Sequence, residues 1–275
     1  MYAEENRNLK KLQQLEIDIL KNVVKICEEN HIRYFALDGT LLGAVRHQNM
    51  IPWDDDIDIG MPRKDYEKFL SIADNCLEGK FKLLTDTSNE IYTAKVITAD
   101  TKVRLNMAKF PVITNVWIDI FPLDGMPEKY GMQILHKFLL LFARLMVQLS
   151  VLEQQVHLYR ENRPIYEKFL LKFFMVTKFG RNIDTYKWKK TVQKLLKKYD
   201  YDSSETIVNF WSAYKFREMF PKKVYGMGRK AAFADLRITI PVYAETVLEK
   251  LYGFYRDIPA PDKRFSQHKI EIIKL

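Results

Sequence analysis

Ile51-Pro52-Trp53-Asp54-Asp55-Asp56-Ile57-Asp58-Ile59-Gly60 crowds four carboxylates into five positions, between a tryptophan and an apolar, strand-like tail. Neighbouring like charges repel and raise one another's pKa, so such crowding opposes folding. A divalent cation removes the penalty, because hard cations take oxygen ligands and are commonly held by carboxylates plus substrate phosphates. Side chains alternate faces along an extended strand. Asp54, Asp56 and Asp58 are therefore expected on one face, with Asp55 turned away. A solvated acidic loop is the bland alternative, and the interleaved Ile57 and Ile59 argue against it. The pattern predicts a metal site for phosphoryl chemistry.

Immediately upstream, Tyr34-Phe35-Ala36-Leu37-Asp38-Gly39-Thr40-Leu41-Leu42-Gly43-Ala44-Val45-Arg46-His47 reads as an apolar strand, a tight Gly39-Thr40 turn and a short helix. Such a turn leaves backbone N–H groups and the positive helix end free for phosphate oxygens. Leu37 to Leu41 also has the look of a haloacid-dehalogenase-type phosphatase. That chemistry needs a nucleophilic aspartate two residues before the Asp-Gly-Thr, where this chain has Ala36, so an aspartyl-phosphate route is excluded.

Asp38 to His47 and Ile51 to Ile59 together resemble the signature of the LicD-type phosphocholine transferase family, to which fukutin-related sugar-phosphate transferases are similar. Trp117-Ile118-Asp119-Ile120-Phe121-Pro122-Leu123-Asp124-Gly125 resembles the family's second acidic strand. A fainter likeness recurs at Tyr252-Gly253, Pro259, Pro261, Arg264 and His268. The resemblance implies an α+β fold: a nucleotidyltransferase-like mixed-sheet core of the polymerase-β type, with an additional mostly helical region. It also implies metal-dependent transfer of phosphocholine, or a similar phospho-alcohol, from CDP-choline or a related CDP-alcohol to a sugar hydroxyl of a glycan precursor, with release of CMP. On these positions it puts Gly39 and Thr40 at the phosphate turn, Asp56 and Asp58 as paired ligands of Mg²⁺ or Mn²⁺, and Asp119 as third carboxylate. Spacing alone equally allows Asp54 with Asp56.

Transfer at a diphosphate needs charge neutralisation and an in-line hydroxyl. Three acids on two strands suit this, with Asp119 as ligand or general base. Asp124 competes for the third role, against its usual use as a turn residue in Pro-Leu-Asp-Gly. Arg46 is either a phosphate donor or a helix C-terminal arginine placed by the dipole. Trp53 is either a stacking or cation–π surface or a packed core residue.

The 275 residues allow one large or two modest domains, and 47% hydrophobic with 29% charged residues describes a globular chain. A core over 1–126 and a mostly helical region over 127–275, completing the cleft and docking acceptor or membrane, are expected. Cys27 and Cys76 lack zinc spacing and suit a reduced compartment. Met1 to Asn8 lacks a signal-peptide core, so a cytoplasmic chain is expected. Between Arg160 and Lys198, twelve Lys and Arg face three acids, with aromatics interleaved. This suggests peripheral contact with the inner face of the membrane, useful if the acceptor is lipid-linked; the alternative is a solvated helix face, and no nucleic acid is expected. Ile134 to Leu152 is interrupted by Arg144, whose insertion costs about 2.5–3.5 kcal/mol at a span centre, so a buried or interfacial helix is expected. Two other function classes share these features: an NTP-dependent nucleotidyltransferase and a non-catalytic, membrane-docking protein.

The expected elements are helices near 7–29, 62–77, 131–159, 162–179, 185–199 and 242–252. Strands are expected at 32–37, 54–60, 81–85, 91–98, 102–107, 115–121 and 232–239.

Overall fold

Leu12, Ile19, Val23 and Ile26 recur at helical spacing, and all four are buried on helix α1 (Tyr2–Glu29). The computed structural model describes residues 2–85, 93–105, 111–151, 177, 179–264 and 270–275. The chain then makes a two-residue strand β1 (Phe35–Ala36), and helix α2 (Asp38–Arg46) starts directly after Leu37. Gly39 and Thr40 thus lie in the first helical turn instead of forming a separate turn. Asp38 makes this abrupt junction with a left-handed φ of +43°, a region that aspartate tolerates better than most residues.

The acidic segment pairs into a sheet later than alternation suggests: β2 is Asp58–Pro62, not 54–60. The preceding residues are held as a loop. The Asp54 amide donates to the Ile51 carbonyl at 3.0 Å, and Gln13 Nε2 on α1 donates to the carbonyls of Ile51 and Asp54 at 3.1 and 2.8 Å. Pro62 is the N-cap of α3 (Arg63–Cys76), whose Tyr66, Phe69 and Ala73 are buried.

Strands β3 (Phe81–Leu84), β4 (Ala94–Thr98) and β7 (Trp117–Met126) complete a mixed sheet of order β1-β2-β7-β4-β3. Only β2 and β7 run parallel among these pairs. The far end of β7 pairs with β8 (Thr206–Val208), which pairs with β9 (Met219–Pro221). A smaller sheet joins β5 (Lys102–Leu105) to β6 (Val112–Thr114) and β12 (Ile270–Lys274). A ribbon of β10 (Arg229–Phe233) and β11 (Leu236–Ile240) stands near the β-rich stretch expected at 232–239.

Helices α4 (Tyr130–Ser150), α5 (Thr185–Leu196), α6 (Lys222–Tyr225) and α7 (Ala244–Tyr252) follow in chain order. The main core combines α1, the sheet, the ribbon and α7, so it draws on residues from Leu12 to Tyr255. A second cluster lies under α4 and α5, around Met126, Leu140, Val147, Val192 and Phe210. The end of the helix expected over 131–159, most of that over 162–179 with its aromatics, the basic residues from Arg160 to Lys172, and His268 all lie outside the described residues.

Candidate active site

Parallel pairing of β2 with β7 sets Asp58 opposite Asp119, so the two carboxylates project from one face of the sheet. They open into a cavity of about 1120 Å³ that Asp38, Asp54 and Asp56 also line. Asp55 is buried and is not part of that lining. Asp54, Asp56 and Asp58 all line the cavity as expected, but only Asp58 is in a strand; Asp54 and Asp56 reach it from a loop, so strand alternation is not what puts them there. One carboxylate oxygen each of Asp54, Asp55 and Asp56 lies within 4.8 Å of the other two.

Burial and mutual repulsion dominate the electrostatics here. Burial first, then Asp56, pushes the Asp38 carboxyl up to about 7, and the Asp38 Oδ1 is enclosed without a hydrogen-bond partner. Burial, Asp56 and Asp55 push Asp54 up to about 8. Asp58 is raised well above the ordinary range by burial and by Asp56, Asp38, Asp119 and Asp54. Behind this wall, Glu16 of α1 is buried and raised for the same reasons, with its Oε2 unpartnered. So many enclosed carboxylates with an orphaned oxygen among them form a donor set that fits a hard divalent cation.

Gly39 also lines the cavity. A Cβ there would stand 2.5 Å from Asp54 Oδ2, so glycine is what allows Asp54 to approach the helix start. Thr40 is buried, and its Oγ1 accepts the Asp58 amide at 2.8 Å. It is outside the cavity lining and acts as a clamp between α2 and β2. The first N–H groups of α2 have no side-chain cap, which leaves the helix's positive end at the acid wall.

Asp119 is fixed by three donors: Trp117 Nε1 to Oδ2 at 2.7 Å, Thr93 Oγ1 to Oδ1 at 3.3 Å, and Lys95 Nζ to Oδ1 at 3.3 Å. Asp124 has a different fate. It sits within β7 instead of a turn, fully buried, with Arg63 Nε and Nη2 on its two oxygens at 2.7 and 2.6 Å. The following Gly125 is needed for close approach, since a Cβ would meet the backbone oxygens of Asp200 and Tyr199 at 2.6 and 2.7 Å.

Arg46 faces the cavity from the last turn of α2, and its Nη1 donates to the carbonyls of Tyr255 and Asp257 at 2.7 and 3.1 Å. It ties the segment after α7 to the acid-bearing half. Trp53 is half-buried at the rim, with the Arg264 guanidinium 5.3 Å from its ring centre and His47 edge-on at 5.9 Å. Aromatic rings also line the cavity: Phe121, Trp211, Tyr214, Tyr252, Phe254 and Tyr255. Tyr214 and Tyr252 meet nearly perpendicular, with ring centres 6.0 Å apart. Apart from Phe121 these rings come from the later half of the chain; Phe121, Tyr252 and Asp38 stood inside quoted motifs without a site role, and sequence reasoning missed the others together with Glu16. Glu16 did leave a signal, as an acid one helical turn beyond Leu12 on the apolar stripe of α1.

Known proteins share sequence with this chain. Residues 31–136 match the model of the LicD/FKTN/FKRP nucleotidyltransferase domain. Over 270 residues, 96% of both chains, the protein is 24% identical to the lipopolysaccharide cholinephosphotransferase LicD of Haemophilus influenzae. A 43-residue stretch, 16% of this chain and 9% of the relative, is 46% identical to the human ribitol 5-phosphate transferase FKRP. An uncharacterised protein of Rickettsia typhi is 46% identical over 54 residues, 20% of this chain and 18% of that one. Residues 31–136, which carry Asp38, Asp54, Asp56, Asp58 and Asp119, are thus similar to the nucleotidyltransferase domain of the LicD/FKTN/FKRP family.

Proposed function

We propose that the protein transfers phosphocholine, or a similar phospho-alcohol, from a CDP-activated donor to a sugar hydroxyl of a cell-surface glycan precursor, releasing CMP. The observation that carries this is one cavity lined by both carboxylates and aromatic rings. An acid wall repels a diphosphate unless a cation intervenes, so the site suits a metal-bound donor. The aromatic lining suits a quaternary ammonium, which is attracted to ring faces. A neutral polyol gains nothing from that term. Likeness along nearly the whole chain to a cholinephosphotransferase supports the same choice. A nucleotidyltransferase-like core of the polymerase-β type belongs to the proposal, supported by the parallel β2–β7 pair that presents Asp58 beside Asp119.

Mg²⁺ or Mn²⁺ would be held by Asp56, Asp58 and Asp119, and would neutralise charge on the diphosphate oxygens. The acceptor hydroxyl oxygen bonds to the phosphorus that carries choline, the bond from that phosphorus to the bridging oxygen breaks, and CMP departs with the bond's electrons. The hydroxyl proton goes to a carboxylate. Three donors hold the Asp119 carboxylate in place, which suits a metal ligand. Asp54, whose carboxyl is pushed up to about 8 by burial and by Asp56 and Asp55, is a matched acceptor. Arg46 and the free amides of α2 orient the anionic donor.

A donor panel tests this. Purified protein with Mg²⁺ or Mn²⁺ and a glycan acceptor is offered CDP-choline, CDP-ribitol, CDP-glycerol and NTPs. CMP formed with CDP-choline above the other donors supports the proposal. Pyrophosphate from NTPs replaces it with nucleotidyl transfer, and no turnover with any CDP donor removes it.

A further inference from the structure

Helix α4 buries His136, Leu140, Ala143 and Val147, a 4-3-4 spacing that marks one side of the helix. Directly opposite, Ile134, Phe138, Leu141 and Leu145 repeat the same spacing in the open, and Phe138 is 63% exposed. Leu135 and Phe142 widen this face, and Phe138 and Phe142 stack with ring centres 6.4 Å apart. Monomeric soluble domains rarely expose so continuous an apolar surface without using it.

The neighbouring helix indicates what covers it. Helix α5 packs beside α4, with Trp188 edge-on to Phe142 at 5.6 Å, and both helices turn their buried stripes onto the same core cluster. Their outer faces therefore look the same way. On α5 that face carries Lys187, Lys190 and Lys194, with Tyr186 exposed beneath Lys190, and Lys197 and Lys198 follow in the open. Neither helix contains an aspartate or glutamate.

We infer that the outer faces of α4 and α5 form a docking surface for an anionic lipid bilayer, with the α4 side chains in the headgroup–acyl boundary and the α5 lysines on lipid phosphates. An apolar stripe bordered by lysine and tyrosine is the composition of an interfacial helix, and lysines near a negatively charged leaflet are attracted to it. Helix α4 is long and apolar enough to cross a bilayer, but its buried stripe packs on the protein. Arg144 Nη1 also donates to the Phe210 carbonyl at 2.7 Å. The helix thus lies flat and shows lipid one face. A second copy is the poorer occupant, because two such faces would set lysines against lysines.

Vesicle flotation of the full chain tests this without any assay of transfer. Binding is expected to vesicles of phosphatidylcholine with phosphatidylglycerol, to fall with added salt, and to be at least tenfold weaker on phosphatidylcholine alone. The doubly substituted Phe138→Asp, Leu145→Asp protein should lose at least tenfold in binding with an unchanged melting temperature. Lys190→Glu with Lys194→Glu, changes at solvated positions, should do the same and serves if the first variant misfolds. Failure to float with anionic vesicles overturns the inference, as does undiminished binding by the folded variants. Concentration-dependent dimerisation without vesicle binding, abolished by Phe138→Asp, assigns the face to a second copy instead.

Discussion

Asp58 and Asp119 occupy the same rung of the parallel ladder between β2 and β7, so two carboxylates from distant parts of the chain share one edge of the cavity. Repulsion across that rung is a cost of the metal-free fold and an asset once a cation is bound. Asp58→Asn should lower turnover by at least about 10²-fold, the scale of losing one key electrostatic group. Because it relieves crowding, the melting temperature without metal should hold or rise. Parallel loss of stability and activity would mark Asp58 as structural.

The acid wall also sets a pH dependence. Asp38 and Asp54 hold protons up to about pH 7 and 8 in the fold, against 3.8 for an ordinary aspartate. Between pH 4 and 8 the folded state therefore binds more protons than the unfolded one, and stability falls as pH rises. Thermal melts in EDTA should show a lower melting temperature at pH 8 than at pH 6, by about 2–4 °C for each kcal/mol involved. Added Mg²⁺ should raise the pH 8 value most, and Asp54→Asn should flatten the slope. A melting temperature that climbs from pH 6 to 8 in EDTA contradicts this account.

Thr40 shows how the site is held from behind. Its Oγ1 accepts the Asp58 amide, which loses its partner in Thr40→Val. An orphaned buried donor costs about 1–3 kcal/mol, so the valine variant should melt earlier and bind metal more weakly. Thr40→Ser keeps the oxygen and should recover most of both.

Asp124 lies outside the cavity lining and is engaged by Arg63 within the fold. Its bidentate pair with Arg63 is enclosed, and removing one partner of a buried pair costs about 3–5 kcal/mol. Asp124→Ala should lose that much in denaturant melts while the folded fraction keeps its affinity for metal. Lost metal affinity in a stable variant would return Asp124 to the site.

How much of this could be read beforehand follows from what each residue depends on. Asp54, Asp56 and Asp58 were legible as cavity residues because crowded acids in one short stretch are a local mark, although the loop before Asp58 does not keep the strand alternation that was expected. The rung partner of Asp58 was found through a resemblance, since strand register between distant segments leaves no local mark. Asp124 looked like a turn residue because Asp-Gly ordinarily is one; its use in β7 depends on Arg63 and on the backbone at Tyr199 and Asp200, all remote in sequence. The aromatic lining was hidden for the same reason. Trp211 and Tyr214 are unremarkable locally, Tyr252 stood only in a faint likeness, and only folding brings all three into the cavity with the acids. Asp38 stood inside a quoted motif, but its left-handed backbone and enclosed oxygen are visible only in three dimensions.

The aromatic lining yields the sharpest test of the donor. Tyr252 and Tyr214 form a right-angled corner at the cavity, and a ring face stabilises a quaternary ammonium by about 0.5–2 kcal/mol. Replacing Tyr252 by leucine removes one face while keeping an apolar side chain. KM for CDP-choline should rise by about 2- to 30-fold on that energy scale, with kcat changed less, because the head group is bound equally before and during transfer. A CDP-polyol has no positive head group and should show no matching penalty. Tyr252→Phe retains the π face and should stay near wild type. If leucine weakens both donors equally, Tyr252 shapes the cavity without recognising charge, and the case for choline over a polyol loses its physical basis.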